Sequence, residues 1–324
     1  MYTFKELQQI VEQEIEKINF TIQPLGLYEP IKYVLSIGGK RIRPILALMA
    51  CNLYTDKITK ALPSVLGLEI FHNFTLLHDD IMDKALLRRN QPTVHAKWNE
   101  NVAILSGDAM MIKAYEYVFK CDSDLFIKIF PVFNQTALEV CEGQQYDMNF
   151  ETSQNVSIEE YLEMIRLKTA VLIAGSLKVG AIIGGASEKD AQLLYNFGLN
   201  IGLAFQLQDD LLDVYGNRDV FGKNIGGDIL SNKKTYLLIS AINLAKADLY
   251  EELIDWIKAK KFVPEEKIQA ITDIYNELGI KEITEQKSME YFKKALNLLD
   301  QINLPKEKKA ELNNFAEKLM GREK

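Results

Sequence analysis

Apolar side chains recur at helical spacing along almost the whole chain. The first example is Phe4, Leu7, Val11 and Ile15, which follow one another at intervals of three and four residues. This spacing places them on one face of a helix. No stretch alternates steadily between apolar and polar residues, so few or no strands are expected. The pattern therefore predicts an all-α protein.

Glycine and proline mark the predicted ends of the first helices. Pro24 and Gly26 should end the first helix, because both residues interrupt helical periodicity. The second helix should start at Ile31 and stop at Gly38-Gly39. The loop between the first two helices is therefore expected to extend past residue 26.

The later helices follow one another without an interdomain linker. Pro44 and Pro63 suit the first turns of the next two helices, and the second of these should end near Lys84. Further helices are predicted at 94–100, 102–119, 124–149, 158–166, 168–185, 188–215, 233–247, 250–260, 264–278, 284–301 and after Pro305. Because no Gly/Ser/Pro-rich segment divides the chain, residues 1–324 are predicted to form one domain of long antiparallel helices around a central cavity.

Two acidic triplets interrupt the apolar pattern. They are Asp79, Asp80 and Asp83, and Asp209, Asp210 and Asp213. On a helix, residues four apart share a face about one turn (~6 Å) apart, so each triplet crowds like charges together. Such a group needs a cation, and oxygen ligands without His or Cys favour Mg²⁺.

A single triplet of this kind also fits a solvated helix face or a helix start. Two copies argue against that interpretation, because each lies within an apolar run, 74–82 and 203–214. A solvated acidic face would normally be flanked by lysine and glutamate. The pair of triplets therefore favours a shared metal site.

Composition and charge narrow the classes of protein. The chain is 48% hydrophobic and 26% charged, which is typical of a folded globular protein. Its formal net charge of −7 argues against a nucleic-acid partner. Cys51, Cys121 and Cys141 are widely spaced and odd in number, which favours free thiols in a reducing compartment over disulfides. Residues 1–17 lack a secretory signal, and the apolar run 170–186 is short for a membrane span, so a cytoplasmic protein is expected.

Basic residues cluster near predicted helix boundaries, where they could hold phosphate. They are Lys40, Arg41 and Arg43 after Gly38-Gly39, then Arg88-Arg89, Lys168-Thr169, Lys223 and Lys233-Lys234. Each also fits a solvated surface residue. The arginines are favoured as ligands because their planar fork matches phosphate geometry. The glycine-rich loop 216–232, which carries Lys223, is a candidate lid beside the second triplet.

With these residues in place, the chain resembles the trans-isoprenyl diphosphate synthases, the polyprenyl synthetase family, over nearly its full length. The segments that carry the resemblance are 38–44, 72–83, 88–93, Gly107-Asp108, Gly143-Gln144-x-x-Asp147, 168–170 and 205–213. The resemblance implies the all-α isoprenoid synthase fold and a homodimer. It also implies condensation of isopentenyl diphosphate with an allylic diphosphate (dimethylallyl, geranyl or farnesyl).

The resemblance also implies roles for individual residues. Lys40, Arg43, His72 and Arg89 would bind isopentenyl diphosphate. Arg88, Lys168, Thr169, Gln206, Lys223 and Lys233 would bind the allylic diphosphate. Asp79, Asp80 and Asp83 with Asp209, Asp210 and Asp213 would hold up to three Mg²⁺. The catalytic set would be Asp79, Asp80, Asp83, Arg88, Lys168, Asp209, Lys223 and Lys233. The departing diphosphate would take the proton, so His78 is expected to be a packing or surface residue.

Two departures from the family pattern concern single residues. Asn90 stands where a glycine usually follows the paired arginines, and Asn232 stands where many bacterial members have glycine before the lysine. Asparagine tolerates the left-handed backbone that glycine adopts. Both substitutions are therefore expected to preserve the site.

Product length should depend on residues upstream of the first triplet. Thr75 lies one turn before Asp79, Phe71 about two turns (~12 Å) before it, and Phe74 behind Thr75. In the family, a bulky residue at the position of Phe74 without an insertion in the triplet accompanies short products, so geranylgeranyl diphosphate is predicted, with farnesyl diphosphate as the alternative. Phe71 and Phe74 also fit two core aromatics of an amphipathic helix.

Two other functions fit part of the pattern. A class I terpene cyclase also ionises an allylic diphosphate with aspartates and Mg²⁺, but it needs no second diphosphate site. The basic residues around Lys40, Arg43 and His72 therefore speak against it. An inactive partner subunit of another synthase is the second alternative, and the two intact triplets speak against that.

Overall fold

The computed structural model describes residues 1–153, 155–216 and 226–321. The helices are α1 Phe4–Glu16, α2 Leu25–Ser36, α3 Ile42–Asn52, α4 Leu62–Met82, α5 Val94–Lys97, α6 Glu100–Val118, α7 Ser123–Thr152, α8 Ile158–Ile165, α9 Val171–Gly184, α10 Glu188–Tyr215, α11 Gly227–Leu230, α12 Tyr236–Leu244, α13 Ala247–Lys258, α14 Pro264–Glu277, α15 Ile280–Asp300 and α16 Lys306–Met320. A 3₁₀ turn covers Ile58–Ala61, and a π-helical turn, Arg166–Ala170, joins α8 to α9. The prediction of an all-α protein is confirmed.

The first helices differ from prediction in two respects. Helix α1 ends at Glu16, before the break predicted at Pro24 and Gly26. Helix α2 begins at Leu25, six residues before the predicted start at Ile31. Pro24 is its N-cap residue, with extended backbone dihedrals, and Gly26 lies in the first turn, where no intrahelical N–H bond is lost. The connection between the two helices, residues 17–24, therefore lies earlier in the chain than predicted.

A two-residue β-hairpin replaces part of the predicted polar turn after the first triplet. Strands β1 (Leu87–Arg88) and β2 (Gln91–Pro92) pair antiparallel, with Arg88 opposite Gln91. Arg89 and Asn90 at the tip both have positive φ, 54° and 60°, as a type I′ turn requires. Asparagine at position 90 therefore adopts the left-handed conformation predicted for it.

Contacts divide the described chain into two compact units, each built from several segments. The first unit comprises Met1–Asn134, Gly175–Tyr195 and Leu304–Leu312. The second comprises the described residues of Gln135–Ala174, Asn196–Asn303 and Asn313–Lys324. Each unit carries one acidic triplet. A single domain over residues 1–324 stays a prediction.

The first unit is organised around helix α4, most of whose side chains are buried. Helix α6 packs along it, and the His78 ring lies over Gly107, where a Cβ atom would come within 2.2 Å of Nε2. The same ring meets Phe74 edge-on at 4.8 Å between centroids, and its Nε2 lies 3.2 Å from the Ile104 carbonyl. His78 thus packs between α4 and α6, as expected of a packing residue.

The core of the second unit contains two apolar clusters beside helix α10. One gathers residues of α8, α10 and α12, including Tyr161, Leu207 and Tyr236. The other gathers residues of α10, α12 and α14, including Leu211, Leu237 and Ile274. Helix α10 is buried on both sides, so the second triplet lies on a rigid element.

One helical stretch is long and apolar enough to span a membrane by length and composition, Ile158–Gly184. Of the most apolar segment of this stretch, 72% is buried inside the protein. Such burial is typical of a core helix, which is what the sequence predicts for residues 170–186. The absence of a membrane span stays a prediction.

Candidate functional site

The first triplet lies at the C-terminal end of α4. The helix closes with a Schellman motif, in which the Ala85 N–H donates to the Asp80 carbonyl at 2.9 Å and Lys84 has φ 52°. Asp83 is the C-cap residue and is exposed, whereas the Asp79 side chain is 20% exposed. The helix end therefore presents these two carboxylates outward from α4.

Arg88 of the hairpin binds the middle aspartate of this triplet. Its Nε donates to both carboxylate oxygens of Asp80 at 2.9 Å, and its Nη2 lies 2.8 Å from Oδ1. Asp80 is buried, and burial raises its pKa while Arg88 opposes that rise. Arg88 Nη2 also lies 3.9 Å from Asp79 Oδ2. The structure thus brings together the predicted residues Asp79, Asp80 and Arg88.

Arg89 turns from the tip of the same hairpin towards the loop after α2. Its guanidinium donates to the Gly38 carbonyl and lies against Gly39, where a Cβ would come within 2.5 Å of Nη1. Gly39 also has φ 143°. Only glycine fits here, because any side chain would displace the guanidinium.

The predicted isopentenyl diphosphate residues Arg43 and His72 contact each other. Arg43 Nη1 lies 3.0 Å from His72 Nε2. Burial lowers the pKa of His72 well below its ordinary value, and Arg43 and Arg89 lower it further. The imidazole is therefore neutral, so that Nε2 can accept the Arg43 hydrogen bond. Lys40 is exposed on the preceding loop.

The second triplet has a different environment. Tyr161 donates to Asp210 Oδ2, and Gln206 Nε2 donates to Asp210 Oδ1 at 3.2 Å. Thr169 Oγ1 lies 3.2 Å from Gln206 Oε1, which extends the network to two residues predicted to bind the allylic diphosphate. Burial raises the pKa of Asp210 to about 7, and Tyr161 and Gln206 oppose the rise.

Asp213 anchors the segment that leads to Lys233. Its Oδ2 accepts the Asp228 N–H at 2.9 Å, and its carbonyl accepts the Gly226 N–H at 2.7 Å. The Lys233 N–H in turn donates to the Asp228 carbonyl at 2.9 Å, and its side chain is exposed. Lys223 and most of the predicted lid lie outside the described residues.

Lys168 projects from the π-helical turn Arg166–Ala170. Its Nζ forms an ion pair with Asp147 of α7, a residue of one segment that carries the family resemblance. A Cβ on Gly143 would lie 2.2 Å from the Lys168 N atom, so α7 approaches this turn closely. Sequence periodicity could not indicate the π turn, although such turns are frequent at functional sites.

The three predicted chain-length residues lie on α4. Phe71 is 5.5 Å from Phe74 and 5.5 Å from Phe133 between ring centroids. Phe71 and Phe74 are buried, and Thr75 is partly buried with its hydroxyl donating to the His72 carbonyl at 2.8 Å. Their effect on product length stays a prediction.

Three residues that hold the predicted ones are not indicated by residue type or spacing. Glu69 pairs with Arg41, Tyr161 binds Asp210, and Asp147 binds Lys168. Asp147 belongs to a segment that carries the resemblance, which was its only signal in the sequence. Tyr161 and Glu69 had no signal beyond lying near predicted site residues.

The donor set of the triplets fits Mg²⁺ bound together with a substrate. In residues 1–153, 155–216 and 226–321, no group of three or more His, Cys, Asp or Glu side chains is gathered closely enough to hold a metal alone. Mg²⁺ usually takes one or two carboxylates and completes its shell with water and phosphate oxygens. All six aspartates of the two triplets carry such oxygens, and both oxygens of Asp80 and of Asp210 accept hydrogen bonds from the protein.

Comparison with known proteins agrees with these observations. The polyprenyl synthetase family profile matches residues 25–276. A geranylgeranyl diphosphate synthase from Methanosarcina mazei is 40% identical over 243 residues, 74% of this chain and 75% of the relative. The crystal structure of a geranylgeranyl pyrophosphate synthase has a TM-score of 0.94 at 44% identity, with both chains fully covered.

A second solved structure contains ligands. A geranylgeranyl pyrophosphate synthase from Corynebacterium glutamicum, complexed with isoprenyl diphosphate and magnesium, has a TM-score of 0.88 at 27% identity. It covers 99% of this chain and 100% of its own. Together with the matched profile, these similarities show that this chain belongs to the polyprenyl synthetase family of trans-prenyltransferases and has the all-α isoprenoid synthase fold.

Proposed function

We propose that this enzyme condenses isopentenyl diphosphate with an allylic diphosphate and releases geranylgeranyl diphosphate. The observation that carries the proposal is the cluster of Arg43, His72 and Arg89, which supplies a second anion site. This cluster lies apart in sequence from the Thr169–Gln206–Asp210 network. A reaction that joins two diphosphate substrates needs two such sites, whereas a terpene cyclase needs one.

We assign direct magnesium binding to Asp79, Asp83 and Asp209 and a supporting role to Asp80 and Asp210. The hydrogen bonds that both oxygens of Asp80 and of Asp210 accept support the secondary role of these two residues. The family resemblance supports direct binding by Asp79, Asp83 and Asp209. Asp213 is proposed to contact the metal only by way of a water molecule, because one of its carboxylate oxygens already accepts the Asp228 N–H. Up to three Mg²⁺, when bound, would supply Lewis-acid stabilisation of charge on the leaving diphosphate.

The chain's basic residues would act on the two diphosphates separately. Arg88, Lys168 and Lys233, together with Lys223, would stabilise the negative charge that develops on the allylic diphosphate as its C–O bond breaks. Arg43, Arg89 and Lys40 would hold isopentenyl diphosphate, with neutral His72 as a hydrogen-bond partner. The departing diphosphate would accept the proton lost after condensation, so no side chain is assigned as the base.

Product length is proposed to depend on Phe74 and then on Phe71. Both are buried in the aromatic cluster that includes Phe133. Phe74→Ala and Phe71→Ala should shift the product distribution towards longer chains, because each removes a ring from the proposed wall. An unchanged distribution with a folded protein would refute this assignment and support a purely packing role.

We further propose a homodimer formed through the exposed face of α6. Leu105 and Ile112, one on either side of Asp108 on this face, are 60% and 67% exposed. Ile104 and Met111 widen the apolar face, and such a patch suits a second copy of the same chain. The cytoplasm is the proposed compartment, since the described cysteines are all free.

The test is a labelling experiment with the purified chain and Mg²⁺. Dimethylallyl, geranyl or farnesyl diphosphate is supplied with labelled isopentenyl diphosphate, and the products are separated by chain length. Label in a twenty-carbon diphosphate supports the proposal, and label ending at fifteen carbons indicates a farnesyl diphosphate synthase. Hydrocarbon formed without isopentenyl diphosphate would indicate a cyclase, and no turnover would indicate a partner subunit.

A further inference from the structure

A buried ion pair lies next to the Arg43–His72 contact. Arg41 Nη1 donates to Glu69 Oε1 at 2.6 Å, and each side chain is only 4% exposed. Asn73, one turn along α4, donates to the same carboxylate oxygen at 2.9 Å. A buried ion pair is often no more stabilising than apolar residues of similar volume. Stability alone therefore does not explain why the pair is there.

Arg41 connects three parts of the first unit. Its Nη1 reaches Glu69 on α4, and its Nη2 donates to the Leu35 carbonyl in the last turn of α2. Its backbone is the N-cap of α3 and has a positive φ of 48°. The loop 38–40 lies between Leu35 and Arg41, so the ion pair fixes the end of this loop in space.

That loop touches the proposed isopentenyl diphosphate site directly. The Gly38 carbonyl accepts a hydrogen bond from Arg89, and the Arg89 guanidinium lies against Gly39. Lys40 extends from the same loop. A displacement of the loop would therefore move two of the proposed diphosphate ligands together.

Glu69 also contributes charge to the cluster. Burial lowers the pKa of Arg43 to about 10, and the negative charge of Glu69 opposes that effect. Glu69 likewise opposes the lowering of the Arg89 pKa. Four arginines lower the pKa of His72, among them Arg41. The negative charge of Glu69 thus partly offsets the repulsion among these arginines.

We propose that Arg41 and Glu69 are positioning residues for isopentenyl diphosphate. Without touching that substrate, the pair holds loop 38–40 where Lys40, Arg43 and Arg89 can bind one diphosphate together. The proposal rests on the proposed function and deepens it. It assigns Arg41, a residue of the basic segment, to the support of the site rather than to the ligand set.

The test replaces the pair by apolar residues of similar length, Arg41→Met with Glu69→Met. Because a buried pair can be exchanged in this way with little loss of stability, the double variant is expected to fold. The KM for isopentenyl diphosphate should rise at least about tenfold, because a small misplacement of binding groups is costly. The KM for the allylic diphosphate should stay within about twofold, since that site keeps its groups.

Glu69→Gln supplies a second variant, which keeps the shape of the side chain and one acceptor oxygen but removes the negative charge. It should raise the KM for isopentenyl diphosphate in the same direction and by a smaller factor. Lys281→Gln with Glu285→Gln removes an exposed pair on α15, 3.9 Å apart, and should leave both KM values unchanged. The comparison shows whether the effect is specific to the Arg41–Glu69 pair or follows from the loss of any ion pair.

The outcomes distinguish the inference from the proposed function. If the wild-type chain incorporates no isopentenyl diphosphate, the proposed function fails and the inference with it. If the wild-type chain is active but the folded variants keep the wild-type KM for isopentenyl diphosphate, the pair is only structural and the inference alone fails. Equal rises in both KM values would also overturn it.

Discussion

Asp80 and Asp210 occupy the same position in two copies of one motif, yet the chain stabilises them differently. Asp80 is bound by the guanidinium of Arg88, so its charge is balanced by an opposite charge. Asp210 is bound by a phenol and an amide, Tyr161 and Gln206, which are neutral. Burial raises the pKa of both carboxyls, and that of Asp210 reaches about 7.

This difference shows that a shared motif does not imply a shared electrostatic environment. The first triplet belongs to a group of arginines and carboxylates, in which each charge depends on another. The second belongs to a hydrogen-bonded network that continues to Thr169. Removing one partner should therefore cost more at the first triplet than at the second, because an uncompensated buried charge is more costly than a lost neutral hydrogen bond.

The largest loss of activity is expected for the proposed direct metal ligands, Asp79 of the first triplet and Asp209 of the second. Asp79→Asn and Asp209→Asn should each lower kcat by at least about 10³-fold, because a lost metal ligand removes several kcal/mol of charge stabilisation. Asp248→Asn, on the exposed start of α13, is the control and should not change kcat. Steady-state kinetics at saturating Mg²⁺ provide the measurement. If only one of the two variants loses activity, the two triplets do not contribute equally to catalysis.

The next prediction tests the contrast between the middle aspartates. Arg88→Met should lower kcat/KM for the allylic diphosphate by about 10²-fold, because it leaves the charge of Asp80 without its partner. Tyr161→Phe should lower it by about tenfold, because it removes one hydrogen bond from Asp210. A greater loss for Tyr161→Phe than for Arg88→Met would contradict the comparison.

A pH measurement tests the arginine cluster of the first unit. The pKa of His72 in the folded chain lies well below 6.5, so below pH 6.5 the unfolded chain binds a proton that the folded chain does not. The free energy of unfolding should therefore fall as pH drops below 6.5, by up to about 1.4 kcal/mol per pH unit. His72→Gln should reduce this slope in metal-free protein. An unchanged slope would show that His72 is protonated in the folded state.

The smallest effect is expected at Asn232 of the second unit. Its amide donates to the Ile257 carbonyl at 3.0 Å and accepts from Lys267 Nζ at 2.7 Å, with φ 52°. Asn232→Gly loses these bonds, including the one from buried Lys267, but relieves the left-handed backbone, so the free energy of unfolding should fall by about 1–2 kcal/mol. Asn232→Ala should be less stable than the glycine variant by about 1 kcal/mol or more.

Asn232 directly precedes Lys233, a proposed ligand of the allylic diphosphate. The KM for that substrate therefore checks whether the backbone conformation at residue 232 matters for binding. The glycine variant should keep it within about twofold, as its backbone can keep the same φ. An alanine variant that matches glycine in stability and KM would show that positive φ at this residue costs nothing.

Helical spacing predicted most of the fold because apolar periodicity reports directly on a buried helix face. It failed where the signal was not periodic. Helix α2 begins early because Pro24 serves as its N-cap, and the π turn 166–170 leaves no mark on the apolar pattern. The hairpin around Arg89 was expected only as a polar turn, since two strand residues are too few to alternate.

The sequence also indicated the residues of the site, but it did not indicate most of the residues that hold them in place. The aspartates and arginines were predicted from residue type and spacing, together with family resemblance. Tyr161 is 49 residues from Asp210, and Glu69 is 28 from Arg41. Contacts at that separation arise from helix packing, so local spacing cannot predict them.

Anomalous diffraction from crystals grown with Mn²⁺ and an unreactive allylic diphosphate analogue would show which aspartates bind the metal. We predict metal peaks within coordination distance of Asp79, Asp83 and Asp209, with Asp80 still bound to Arg88 and Asp210 still bound to Tyr161. Peaks coordinated by Asp80 or Asp210, or no metal at either triplet, would contradict this prediction.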